Sequence, residues 1–131
     1  MVEFINPGSM HSNPAYSQAV VLPAGARTML IGGQNAVAAD GAIVGKGDLG
    51  AQTTQALQNL QACLAEAGAG VESLVQVTLY IAGDIDIRPG FEAWMAVWGR
   101  RANPPTVCAA KVLGLAHPDF MIEISAIAIL P

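Results

Sequence analysis

The 131-residue chain is the length of a single domain with a proper core, and it carries 53% hydrophobic but only 12% charged residues, about half the roughly 25% charged fraction usual in soluble domains. Its formal net charge of −4 leaves no basic footprint for nucleic acid or an anionic membrane. So little charge on so apolar a chain points to surface hidden between copies, and hence to a homo-oligomer.

Met1 to Gly8 lacks the cationic and apolar regions of a secretory leader. Cys63 and Cys108 follow neither metal nor disulfide spacing, so both read as small buried hydrophobes in a reducing, cytoplasmic setting. Residues 1–15 are rich in Asn, Pro and Ser, with Phe4-Ile5 as a short edge strand. Tyr16 to Leu22 is extended, Pro23 to Ala26 turns, and Arg27 to Ile31 returns, which predicts a hairpin. Gly32-Gly33 interrupts that second strand, the mark of a bulge or of a group approaching the backbone closely. Asp40-Gly41 is a turn, and Ile43-Val44 is a candidate short strand.

Asp48 is a good N-cap for a first helix. Leu49, Thr53, Ala56, Leu57, Leu60, Cys63, Leu64 and Ala67 recur at three- and four-residue steps as a buried stripe, closed by Gly68. Gln52, Gln55, Gln58, Gln61 and Glu66 are assigned to the outer face. Leu74 to Ile81 alternates as a strand. A second helix follows Arg88-Pro89-Gly90, with Phe91, Trp94, Met95 and Trp98 as its core stripe. Asn103-Pro104-Pro105 stops the chain, and Thr106 to Leu113 is extended.

After the turn at His117-Pro118-Asp119 comes an apolar run too short to cross a membrane as a helix. As a strand it places Ile122, Ile124, Ala126, Ala128 and Leu130 on one face, and Met121, Glu123, Ser125, Ile127 and Ile129 on the other. The first face wants helices. The second is largely apolar with one carboxylate set into it, and desolvating that charge is costly unless it is paired, hydrogen-bonded or protonated. Glu123 is therefore the leading functional candidate. Two helices on one face of a mixed sheet leave the other face, with Gln76, Thr78 and Tyr80, too apolar for open water and too polar for a closed core. Packing against other copies, with a ligand cleft at the boundary, resolves that tension.

No GxGxxG, P-loop, HExxH or CxxC motif is present. His11 and His117 lack a metal partner at sensible spacing, and Ser17 has no basis for a triad. Lys46 and Arg27, Arg88, Arg100 and Arg101 are candidate holders of an anionic ligand.

Tyr16-Ser17-Gln18-Ala19, Gly32-Gly33-Gln34, Gln52 to Leu60 and Glu123 to Ala128 together resemble the Rid (reactive intermediate deaminase, YjgF-like or L-PSP) family. The likeness runs from about Asn6 to Leu130, so residues 1–131 form one such domain. It implies a chorismate-mutase-like α+β fold, a mixed sheet with two helices on one face, assembled as a homotrimer around a central β-barrel with three clefts between subunits. Well-known members hydrolyse reactive imines and enamines to carbonyl compounds and ammonia without metal or cofactor. The resemblance places the catalytic carboxyl on Glu123 and an aromatic substrate contact on Tyr16. The serine of the family's Ser-Gly-Gln falls on Gly32, beside Gly33. The Pro-Ala-Arg motif falls on Pro105-Thr106-Val107, so Val107 stands where the family's arginine binds the substrate carboxylate. Members without that arginine form separate branches, and 2-aminoacrylate is not expected to be a substrate here. A trimer that binds a small ligand without turnover is the alternative, and the family's older description as an endoribonuclease is a third. The acidic balance and the absence of a basic stripe oppose RNA cleavage.

Overall fold

In the computed structural model, which describes residues 1–131, the last strand, β6 (Ile122–Ile129), lies inside a four-stranded sheet. It is flanked by β3 (Thr28–Gln34) and β4 (Leu74–Ala82), both antiparallel to it. The order across the sheet is β3-β6-β4-β5, with β5 (Thr106–Val112) parallel to β4 at one edge. Parallel neighbours need a crossover, and helix α2 (Arg88–Trp98) supplies it in sequence between β4 and β5.

The alternation of β6 sorts its side chains as expected. Ile122, Ile124, Ala126 and Ala128 are buried, while Glu123, Ser125, Ile127 and Ile129 are half-buried on the other face. Helix α1 (Leu49–Glu66) packs on β6 and β3 and against α2, so both helices cover one face. Leu57, Leu60, Leu64, Leu74, Trp98, Ile122 and Ile124 join in one core beneath them. Burying a side chain of that size stabilises the fold by about 1.5–3 kcal/mol relative to leaving it exposed.

The ends of α1 form as the residues predict. The Asp48 carboxylate accepts from the Ala51 amide at 3.0 Å. Gly68 takes φ +72°, a region that disfavours side chains, and its amide and that of Ala69 close on the Ala65 and Leu64 carbonyls at 3.0 and 2.9 Å. On α2, Trp94 and Trp98 are buried and stacked with centroids 5.6 Å apart.

Five expectations are corrected. Strand β2 (Ala19–Val21) pairs antiparallel with β1 (Glu3–Ile5) as a separate ribbon, not with β3 as a hairpin; three residues are too few to bury a hydrophobic set that would pin one partner. Ile43 makes only an isolated bridge to Val37. Gln52 is buried on the helix stripe instead of facing outward. Cys108 is exposed on the open sheet face, and Phe91 at the start of the α2 stripe is half exposed.

Candidate functional site

Ile31 pairs with Ala126 and Gln34 with Ile124, three steps along β3 against two along β6. The extra residue is the bulge at Gly32-Gly33. It brings the backbone against the glutamate of β6: a β-carbon on Gly33 would lie 2.7 Å from Cδ and 2.9 Å from Oε2 of Glu123. Both readings of the double glycine therefore hold at once, a bulge and a close approach. Gly32 has open space where its side chain would be.

Glu123 stands opposite Tyr80 in the register, and Ser125 opposite Thr78. Gln76, on the same face, is opposite Thr106 of β5. The Glu123 carboxylate is half-buried yet accepts no hydrogen bond from a side chain or backbone group, and no cationic nitrogen lies within 4.0 Å of it. The ion pairs lie elsewhere. Lys46 is 3.6 Å from Asp119. Arg88 is bound to Asp86 at 2.8 Å and Lys111 to Asp84 at 2.7 Å; hydrogen bonds from those cations hold both carboxyls below the usual aspartate range. The Arg101 guanidinium donates to the Val97 and Trp98 carbonyls at the end of α2. Nowhere do three His, Cys, Asp or Glu side chains converge as metal ligands.

Three polar side chains not singled out from the sequence fix the backbone around Glu123. Gln52 accepts from the Met121 amide and donates to the Asp119 carbonyl, both at 2.8 Å. Asn35 donates to the Ile122 carbonyl at 3.0 Å, and Asn59 donates to the Asn35 and Val37 carbonyls at 3.1 and 2.9 Å. A signal existed for Gln52: it lies three residues after Leu49 and four before Ala56, on the buried stripe. A buried amide with both ends paired is a fixture, because leaving either end open is costly.

Tyr16 and Val107 lie on the opposite face. They line an apolar cavity of about 180 Å³ between α2 and the sheet, with Leu79, Ile87, Phe91 and Trp94 among its other walls. The Tyr16 loop is held there by the Ser17 amide on the Pro105 carbonyl at 2.9 Å and by the Trp94 indole N–H on the Ala15 carbonyl at 3.2 Å. The Tyr16 hydroxyl is 2.9 Å from Nε2 of His11.

Val107 lies away from Glu123. It pairs with Val77 and shares the helix-side face, whereas Thr106 pairs with Gln76 on the Glu123 side. Of the two, Thr106 is the β5 side chain that shares the face of Glu123. Its hydroxyl donates to the Val75 carbonyl at 3.2 Å. The cation is absent on either reading.

Sequence and fold comparisons decide the lineage: residues 8–130 match the family described as endoribonuclease L-PSP. The chain belongs to that family. The L-PSP relatives include a RutC family protein of Pyrococcus abyssi, 31% identical over 113 residues that cover 86% of this chain and 84% of the relative. Among solved L-PSP-type folds, YyfB of Yersinia pestis, a member of the conserved Rid protein family, superposes with a TM-score of 0.87 at 34% identity, covering 98% of both chains. TdcF of E. coli, solved with bound serine, matches with a TM-score of 0.72 at 26% identity over 95% of this chain and 93% of its own.

Proposed function

We propose that the protein is a homotrimeric, cofactor-free hydrolase of small imines or enamines, or of related carbonyl compounds, acting in a cleft between copies. The observation that carries this reading is the Glu123 carboxylate, unpaired and half-buried against the Gly33 backbone on a sheet face that one copy leaves uncovered. Leu30, 76% exposed, and Tyr80 lie on that same face. Closing it against further copies removes apolar surface from water and lowers the dielectric around the carboxylate.

The chemistry follows from one carboxylate and one water. Glu123 takes a proton from the water as its oxygen bonds to the C=N carbon, and passes that proton to the nitrogen to give a carbinolamine. It then takes the hydroxyl proton and delivers it to the amino group, so that ammonia leaves as the C–N bond breaks and C=O forms, and the carboxylate is regenerated. No oxidant or reductant is needed. With Thr106 where an arginine would be required, a small substrate that depends on its carboxylate for binding is disfavoured. TdcF, solved with bound serine, supports an amino-acid-like ligand, and the lack of a cation beside Glu123 favours a more apolar one here.

Ammonia release from a panel of freshly generated imines, with Glu123→Gln as control, tests the reading, and light scattering tests the assembly. Turnover lost in Glu123→Gln and a mass of three chains are expected; a monomer at micromolar concentration overturns the cleft. Ligand binding without turnover in the wild type would favour a non-catalytic binding trimer. For RNA cleavage the chain offers six cations in all, three of them already against carboxylates, and no basic stripe.

A further inference from the structure

Five residues in the strands of the four-stranded sheet carry a hydroxyl. Two of these are occupied: Thr28 donates to the Ala26 carbonyl at 3.4 Å and Thr106 to the Val75 carbonyl at 3.2 Å. The hydroxyls of Thr78, Tyr80 and Ser125 bond to no protein group, and all three stand on the open face with Glu123. Tyr80 is the one set beside the carboxylate. It is the direct partner of Glu123 across β4 and β6, whereas Thr78 and Ser125 form the next pair along the same face, about 7 Å away. We propose that Tyr80 is a second catalytic residue: its hydroxyl donates a hydrogen bond to the oxygen that begins as the attacking water and ends as the product carbonyl. This rests on the proposed hydrolase reading and adds to it the donor that a lone carboxylate cannot supply.

The two flanks of Glu123 are unlike. On the β3 side the missing side chain of Gly33 leaves room that the carboxylate fills, with Cδ 2.7 Å from where a β-carbon would be. Tyr80 is on the β4 side. The carboxylate therefore leans away from the tyrosine, no hydrogen bond joins the two, and the reacting oxygen fits between them. A phenol reaches farther from the backbone than a carboxylate, so its hydroxyl meets that oxygen from the substrate side. An ionised carboxylate only accepts hydrogen bonds, whereas a phenol donates one. The chemistry uses both. The attacking water gives a proton to Glu123 while one of its lone pairs accepts from Tyr80. When Glu123 later takes the carbinolamine hydroxyl proton, negative charge gathers on that same oxygen, and a donor fixed beside it stabilises the transition state. Tyr80 keeps its own proton throughout, so the proton count of the Glu123 cycle is unchanged. The ring is 39% exposed in one copy, and shielding that flank from water between copies strengthens the bond its hydroxyl makes.

Tyr80→Phe keeps the ring and removes the donor. In the intact protein it should lower kcat for the imines that the wild type hydrolyses by about 100-fold, with KM nearly unchanged. Thr78→Val and Ser125→Ala, one row away, should leave kcat within a few fold. Replacing Tyr80 by a difluorinated tyrosine keeps the size and the hydroxyl, and so covers the case in which Tyr80→Phe fails to fold or assemble. That hydroxyl ionises at lower pH, and a phenolate cannot donate, so the alkaline fall in kcat should move to lower pH. Glu123 on β6 and Cys108 on β5 are the other titratable groups on this face, and a fall set by either of them would stay in place. Full kcat in Tyr80→Phe beside an inactive Glu123→Gln would overturn the role of Tyr80 and leave the hydrolase reading standing. A raised KM at unchanged kcat would also overturn it, because the hydroxyl would then hold the substrate and not the transition state. An alkaline fall that fluorination does not move would do the same. A wild type that hydrolyses no imine would sink the hydrolase reading and the donor with it.

Discussion

A β-carbon placed on Gly33 would sit 2.7 Å from Cδ of Glu123, closer than two carbons approach without one of them moving. The part that moves is the end of a flexible side chain, and Gly33 has no positive φ, so Gly33→Ala should fold with little change in stability. Its effect falls on the carboxylate, displaced by about 1 Å, which for a positioned catalytic group costs about 100-fold in rate. Imine turnover and a crystal structure of the variant check both halves. Gly32→Ala, with nothing within 4 Å, should leave Glu123 where it is.

Thr106→Arg and Val107→Arg separate the two alignments of β5. Thr106→Arg projects its guanidinium onto the Glu123 face and should raise activity on 2-aminoacrylate, expected to be low in the wild type, by roughly 10- to 100-fold for one bidentate carboxylate contact. Val107→Arg drives a charge toward Val77 beneath α2 and should lower the melting temperature without activating anything. A coupled assay following pyruvate, read beside thermal melts, distinguishes them. Robust wild-type activity on 2-aminoacrylate would show that the arginine is dispensable.

Trp94→Ala should destabilise the fold by about 3–5 kcal/mol. It removes a side chain that is buried, stacked on Trp98 and donating to the Ala15 carbonyl. Trp94→Phe keeps most of the packing and should cost far less, about 1 kcal/mol for the lost hydrogen bond. Urea titrations of the two variants measure the difference.

Gln52→Leu keeps the volume but abandons the Met121 amide and the Asp119 carbonyl, each costing about 1–3 kcal/mol when left unpaired. Because those groups sit just before β6, the loss should show in hydrogen exchange at Met121 before the melting temperature shifts. An unchanged exchange rate at Met121 would mean that the turn is held by other contacts.

Asp84 and Asp86 have pKa values lowered by Lys111 and Arg88. A depressed folded-state pKa contributes stability above the ordinary aspartate value of 3.8, lost as pH falls through the lower folded value. Both carboxylates are exposed, so the contribution is small. The Asp84→Asn, Asp86→Asn double variant should melt slightly below the wild type at pH 7 and together with it at strongly acid pH. A larger gap in acid than at neutrality would reverse the sign.

The elements with a strong period were legible in the residues. The Asp48 cap, the Gly68 terminator, the two tryptophans and the two faces of β6 all follow from spacing. The β2 pairing was not, because three-residue strands carry almost no register information. The face of Val107 was not legible for a related reason. Along Val107, Cys108, Ala109 and Ala110 every side chain is small or apolar, so alternation does not say which face is which, and a shift of one residue carries a position through the sheet. Gln52 was assigned outward because glutamine is usually solvated, although its spacing belonged to the stripe. The split of the site between two faces lies beyond any one-dimensional pattern, since it depends on which strand neighbours which.

The strand order ends in β3 on one side and β5 on the other, and within the sheet neither has a partner along its outer border. Strand β5 reads Thr-Val-Cys-Ala-Ala-Lys-Val, and Lys111 is its single charged gatekeeper. An unpaired, β-prone, nearly uncharged border is a template for runaway pairing with other chains. A single copy with that border uncovered therefore carries its own aggregation hazard, and removing the lysine at position 111 would strip its only electrostatic guard.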